Sequence, residues 1–216
     1  MNPDGAEPDD DNLFIPRLTI QSMEYSPDKR EIILGRKLSN LDKFVLEFIN
    51  VLEKHTDYVV ISGYVSILLG RTRATEDVDV FIEKISSERF SKLYDELKNA
   101  GYWCLNAEKE SEIFSYLCGG LAVRFARKGK VAPNFEVKFP KIDLDKETFK
   151  DFIMVSLKEG KIKISSLERQ IAFKRYLLKS EKDMEDALHI EELFKDQLDY
   201  EKINNLKEAI ENIGKR

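Results

Sequence analysis

The spacing of apolar positions changes period several times along the chain, and each change marks a new element. Behind Ser39, whose hydroxyl suits a helix N-cap, Leu41, Phe44, Val45, Phe48, Ile49 and Leu52 recur every three or four residues and predict an amphipathic helix to about Lys54. The continuous run Tyr58-Val59-Val60-Ile61 predicts a buried strand, which stops at Ser62-Gly63 before a short apolar helix from Tyr64 to Leu69. Gly70 closes that helix. After the loop Arg71-Thr72-Arg73-Ala74-Thr75-Glu76 the period drops to two, so that Val78, Val80 and Ile82 share one face of a strand whose other face begins Asp77, Asp79. Ser86 or Ser87 then caps a helix carrying Phe90, Leu93, Tyr94 and Leu97, closed by Gly101.

Tyr102 to Leu105, Leu121 to Phe125 and Phe135 to Phe139 read as further strands, with Trp103 and Cys104 in a core strand and a short helix from Glu112 to Leu117 between the first two. Phe152 to Leu157 and Lys161 to Ile164 flank Glu159-Gly160 as a hairpin would. From Leu167 onward the pattern is helical only, with helices expected at Leu167 to Leu178, Lys182 to Phe194 and Tyr200 to Ile213. Ahead of all this, Leu13 to Ile20 and Glu31 to Leu34 are apolar stretches around the turn-like Ser26-Pro27-Asp28 and predict irregular structure or a small hairpin. Residues 1–12, acidic and rich in Pro and Gly, read as a flexible tail. The expected architecture is α+β: a mixed sheet flanked by helices over residues 13–164, and a helical C-terminal region, 165–216, packing on it.

Composition narrows the function classes. No apolar run approaches the length of a membrane span, and the start of the chain has no signal-peptide pattern. The only two cysteines, Cys104 and Cys118, lack a pairing pattern or CxxC spacing, so neither a disulfide scaffold nor a zinc ribbon is indicated; a reduced, cytoplasmic setting is expected. A net charge of -5 argues against nucleic-acid binding by the whole surface. The basic cluster Arg124, Arg127, Lys128 and Lys130 is by default an exposed loop, although it could guide a nucleic-acid acceptor. His55 and His189 show no metal-ligand spacing, and Ser62 has no GxSxG elbow, which excludes the usual hydrolase signature.

Asp77 and Asp79, two apart on one strand, project their carboxylates from the same face, where they can converge on divalent metal, the hard cation that carboxylate oxygens suit. A bare pair of this kind is more often the polar face of a half-exposed strand; the context is what singles it out. Fourteen residues before Asp77, Gly63 ends a small-residue turn between strand and helix, where unobstructed N–H groups can meet phosphate. A third carboxylate is available in Phe135-Glu136-Val137-Lys138-Phe139, where Glu136 and Lys138 share the polar face; Lys138 could meet phosphate or pair with Glu136.

Ile61-Ser62-Gly63-Tyr64, Arg73-x-Thr75 and Asp77-Val78-Asp79-Val80 together resemble the first motif of the DNA polymerase beta-like nucleotidyltransferase superfamily. Within it the chain looks most like the small prokaryotic group of AbiEii-type toxins and minimal nucleotidyltransferases. The group usually has Gly-Gly or Gly-Ser at the turn, so Ser62-Gly63 departs from the pattern, as does Glu136 in place of the commoner Asp. The helix with Lys174 followed by Lys182-Asp183 through Asp186 is also similar to that group, although acids in a helix's first turn are favoured there whatever the function. The resemblance implies transfer of a nucleoside monophosphate from an NTP to an RNA, protein or small-molecule acceptor, with release of pyrophosphate. Asp77, Asp79 and Glu136 would be catalytic and hold Mg²⁺ or Mn²⁺, and Ser62, Gly63, Arg73, Thr75 and Lys174 would bind the nucleotide. It leaves a second outcome open: a nucleotide-binding or regulatory module without turnover, partnered by an antitoxin or by further copies of itself.

Overall fold

The structure is a computed structural model, and it describes residues 23–213; the expected tail and the apolar stretch Leu13 to Ile20 lie outside the described residues. Nine strands form one mixed sheet among them. β1 (Met23–Ser26) and β2 (Glu31–Leu34) make a hairpin around the Pro27-Asp28 turn; β3 is Tyr58–Ile61, β4 Asp77–Ile82, β5 Tyr102–Cys104, β6 Val123–Arg127, β7 Asn134–Lys138, β8 Phe152–Leu157 and β9 Gly160–Ser165. The order across the sheet is β1-β2-β8-β9-β3-β4-β7-β6-β5. The late hairpin is therefore no appendage: β8 pairs parallel with β2, and β9 pairs parallel with β3.

The helices are α1 (Asn40–Leu52), α2 (Gly63–Leu68), α3 (Ser87–Asn99), α4 (Glu110–Cys118), α5 (Asp143–Lys146), α6 (Leu167–Ala172), α7 (Glu181–Phe194) and α8 (Tyr200–Ile213). α1 starts where expected: Ser39 Oγ accepts from the Asp42 N–H, and the Asp42 carboxylate accepts from the Ser39 N–H, closing a capping box. Its apolar face goes under the sheet, with Phe48 stacked on Phe135. Side chains of this size each contribute about 1.5–3 kcal/mol when removed from water. Asp42 is fully buried yet fully engaged, taking Arg36 at 2.6 Å and the Tyr64 hydroxyl at 2.8 Å.

Three details depart from the sequence pattern. Trp103 is 40% exposed because β5 alternates, so Tyr102 and Cys104 take the inward positions, and the Trp103 indole N–H donates to the Lys130 carbonyl. α5 and the 3₁₀ turn that follows it, Glu147–Phe149, are too short to leave a periodic signature. The helix expected to run from Leu167 to Leu178 changes type at Phe173, where wider π turns continue to Leu178 and end at Lys179 in the left-handed region, φ 61°.

Candidate functional site

The site is a cross-strand row on the polar face of β4, β7 and β6. β4 and β7 run parallel with Asp77 beside Asn134 and Asp79 beside Glu136, and antiparallel β6 sets Arg124 beside Glu136. Val78, Val80, Phe135 and Val137 point the other way into the core, which fixes the register: a one-residue slip would bury the acids and expose the apolar set. Asp79 and Glu136 are thus neighbours on one face by construction.

Each acid has a partner. Asn134 Nδ2 donates to Asp77 Oδ1 at 2.7 Å. Lys138 Nζ donates to Asp79 Oδ1 at 2.7 Å and lies 3.9 Å from Glu136 Oε2, while Arg124 Nε donates to Glu136 Oε1 at 2.8 Å. The expected convergence is accordingly one of backbone rather than side chains: among the described residues no three His, Cys, Asp or Glu side chains are gathered closely enough to hold a metal ion as they stand. The donor set nevertheless fits a hard divalent cation, since it consists of carboxylate oxygens at adjacent register positions on one accessible face.

This face floors a cleft of about 230 Å³ whose opposite wall is built by α6 and the π segment. Asp79, Lys138 and Ser62 line it from the sheet side, and Gln170, Phe173 and Lys174 from the other. α5 and the 3₁₀ turn close one side with Asp145 and Thr148, two residues the sequence pattern did not single out.

At the turn, Ser62 has φ 64° and ψ -138°, a region that glycine enters with far less strain than a residue bearing a Cβ. Gly63 is required for another reason. A Cβ built there would collide with Nη2 of Arg73, whose guanidinium lies over the start of α2. The space above the turn thus holds a cation carried by the next loop. Thr75 Oγ1 donates to the Asp77 carbonyl at 2.9 Å, which fixes the loop's exit into β4.

Arg73 is held in place by Asp186 of α7. Asp186 is fully buried and accepts from Lys174 Nζ at 2.7 Å, Arg73 Nη2 at 3.0 Å and Arg71 Nη1. Burial alone would raise its carboxyl pKa; the Lys174, Arg71 and Arg73 cations outweigh that and hold it below the usual carboxylate range. Lys174 is 1% exposed, with Asp183 3.6 Å from its ammonium as a second acid. The nearby His189 ring is partly buried, and its Nε2 lies 3.2 Å from the Leu69 carbonyl; desolvation and Arg71 depress its pKa. The basic cluster around Gly129, by contrast, disperses: Arg124 goes to Glu136, and Arg127 to the Ala100 carbonyl and Glu47.

No protein-family model matches the sequence, nor does any curated protein. Solved structures of nucleotidyltransferase-like proteins align with the chain at low identity. An antigenic nucleotidyltransferase-like protein from Paracoccidioides brasiliensis aligns over 82% of this chain and 88% of its own, with 17% identity and a TM-score of 0.49. The antibiotic-resistance factor ANT(2'')-Ia, solved in complex with adenylyl-2''-tobramycin, aligns over 81% of this chain and 98% of its own at 12% identity and a TM-score of 0.47. A solution structure of the same resistance factor aligns over 79% and 90% at 12% identity, with a TM-score of 0.39.

Of the residues picked from sequence, Ser62, Asp79 and Lys174 line one cleft, Glu136 stands beside Asp79, and Asp77 follows on the same face. Gly63 and Arg73 meet each other at the rear of the turn, and Thr75 serves the backbone. Arg71 and Lys138 were not assigned roles by the motif; the signal for Lys138 was its position on the same polar face as Glu136.

Proposed function

We propose that this chain is a metal-dependent nucleotidyltransferase of the AbiEii-like, minimal kind, moving a nucleoside monophosphate from an NTP to an RNA, protein or small-molecule acceptor and releasing pyrophosphate. The observation that supports it most is the parallel β4/β7 register, which sets Glu136 beside Asp79, the acid on the floor of the cleft that Ser62 and Lys174 border. In this reading Asp77, Asp79 and Glu136 hold Mg²⁺ or Mn²⁺. When bound, that ion neutralises triphosphate oxygens and lowers the pKa of an attacking hydroxyl. Lys174 stands in the cleft wall with its ammonium turned inward to Asp186, so its charge backs the site, and the Arg73 guanidinium, rather than bare turn amides, supplies positive charge behind Ser62-Gly63. Glu136, next to Asp79, is suited to take up the acceptor's proton.

A second reading, a nucleotide-binding or regulatory module without turnover, draws on one specific observation: Lys138 and Arg124 already neutralise Asp79 and Glu136. An antitoxin or a further copy of the chain would then be its partner. Among the described residues no helix is long and apolar enough to cross a membrane, and the reading places the protein in the cytoplasm.

The deciding experiment is Mg²⁺-dependent transfer of α-labelled nucleotide to a tRNA pool, a protein pool and a small-molecule panel. Transfer by the wild type, reduced about 10²-fold or more in Asp77→Asn/Asp79→Asn, is expected, in line with the loss of a major charge-stabilising element. Undiminished transfer by that double variant rules out the site, and retention of nucleotide with no transfer to any acceptor selects the second reading.

A further inference from the structure

The lysine on the floor of the cleft sits where charge matters most. β7 alternation puts Glu136 and Lys138 on one face, and the parallel register with β4 sets Lys138 beside Phe81, one inward-outward repeat beyond Asp79. Its side chain reaches back along the strand, so the ammonium stands 2.7 Å from Asp79 Oδ1 and 3.9 Å from Glu136 Oε2. That is the position, between two carboxylates, from which a divalent cation would serve both. Lys138 is about a quarter exposed and borders the open cleft, so it can leave at little cost in packing. A metal ion arriving alone must displace the ammonium and tolerate it as a like-charged neighbour. One arriving with a polyphosphate brings the displaced ammonium a new anionic partner.

We propose that Lys138 is an internal counter-ion that couples metal binding to triphosphate binding, so that the acidic row takes a metal–triphosphate complex far better than the free metal. Lys138 is here a specificity-determining residue: it discriminates between two forms of the same cation. The inference rests on the reading that Asp79 and Glu136 take the metal.

The test is direct binding to the full chain of free Mn²⁺ and of preformed Mn²⁺–tripolyphosphate, followed by the electron paramagnetic resonance signal of the metal; tripolyphosphate removes any dependence on the nucleobase. The wild type is expected to bind the complex at least about tenfold more tightly than free Mn²⁺, within the range of ordinary site–site coupling. Lys138→Met, with Lys138→Gln as the variant that keeps a polar end, should bind free Mn²⁺ about tenfold more tightly than the wild type and lose most of the preference for the complex. Lys130→Met, which removes a lysine from the exposed loop, should leave both affinities unchanged; an equal gain there reduces the effect to net charge and overturns the proposal. If both Lys138 variants bind free Mn²⁺ as the wild type does while Asp79→Asn abolishes binding, the coupling is wrong and the metal site stands. If wild type and variants alike bind neither form, the metal site itself is wrong, and the coupling falls with it.

Discussion

Asp79 and Asp186 each accept a lysine ammonium at 2.7 Å, and both lysines line the same cleft, yet the two pairs do different things. Asp186 and Lys174 are sealed from solvent, at 0% and 1% exposure, and Asp186 takes Arg71 and Arg73 as well. Through these bonds one carboxylate on α7 fixes the loop before β4 and the π segment that walls the cleft. Asp79 and Lys138 keep 19% and 26% exposure and have no such ring of partners. Desolvation makes the difference: an ion pair shut away from water is held by the cost of leaving either charge alone, whereas a pair open to solvent can exchange partners. The buried acid locks the frame, and the open acid is available to a ligand.

The sharpest way to break that contrast is to remove each acid in turn. Asp186→Ala is expected to lower unfolding free energy by about 3–5 kcal/mol, because two arginines and a buried lysine lose their common carboxylate. Asp79→Asn should change it by less than about 1 kcal/mol. Urea unfolding followed by circular dichroism measures both, and similar losses would erase the distinction. pH separates them too. The folded pKa of Asp186 is depressed, so between that value and the ordinary carboxylate pKa of about 4 the unfolded chain binds the extra proton. Its stabilisation is therefore present above that window and is lost as pH falls through it. Asp186→Asn should flatten part of the acid limb; Asp42, also held low through Arg36 and Ser39 against its burial, contributes to the same limb.

The frame can also be disturbed from its far end. Gly63→Ala pushes a methyl group into Arg73 Nη2, and Arg73 is not free to swing away because Asp186 holds it at 3.0 Å. A loss of about 1–3 kcal/mol is expected, typical of overpacking. Adding Arg73→Ala should recover the part due to the clash, so unfolding of the four members of this cycle reports how firmly the buried carboxylate grips the turn.

Much of this was legible in the sequence because local rules carry it. The period-two alternation at Asp77–Ile82 and Asn134–Lys138 assigned both strands and their polar faces, and Ser39 and Ser86 marked two helix starts that the structure also has. Those faces sufficed to nominate Asp79 and Glu136 together. What no periodicity contains is who stands opposite whom across 50 or 100 residues. Arg73 and Asp186 are 113 positions apart, and in the sequence Asp186 is only an acid near a helix start, explicable by the helix dipole alone. The insertion of the β8–β9 hairpin between β2 and β3 is hidden for the same reason, since a hairpin pattern specifies its own pairing and leaves its outer edges undetermined. The π turns escaped because Phe173, Tyr176 and Leu177 suit an α-helix equally well; tertiary contact, with Lys174 drawn inward to Asp186, accompanies the change.

The smallest effect concerns Ser62, on the open side of the cleft. Its φ of 64° and ψ of -138° carry strain of order 1–3 kcal/mol for a residue with a side chain. Ser62→Gly releases that strain but gives the unfolded chain more freedom, which returns about 0.4–1 kcal/mol. The net expectation is a gain of about 0–2.6 kcal/mol, read as a higher urea midpoint at unchanged slope. Stability and binding should then part company. Ser62 lines the cleft and its hydroxyl caps nothing in α2, so the side chain has no structural task that would justify the strained backbone. If the strain serves to aim that hydroxyl into the cleft, Ser62→Gly will be more stable and will bind Mn²⁺–tripolyphosphate more weakly, the trade expected where a site is held away from its most stable form. A variant that gains stability and keeps its affinity would assign the strain to the path of the chain between β3 and α2 instead, leaving Lys138 and the acidic row as the ligand-directed part of this wall.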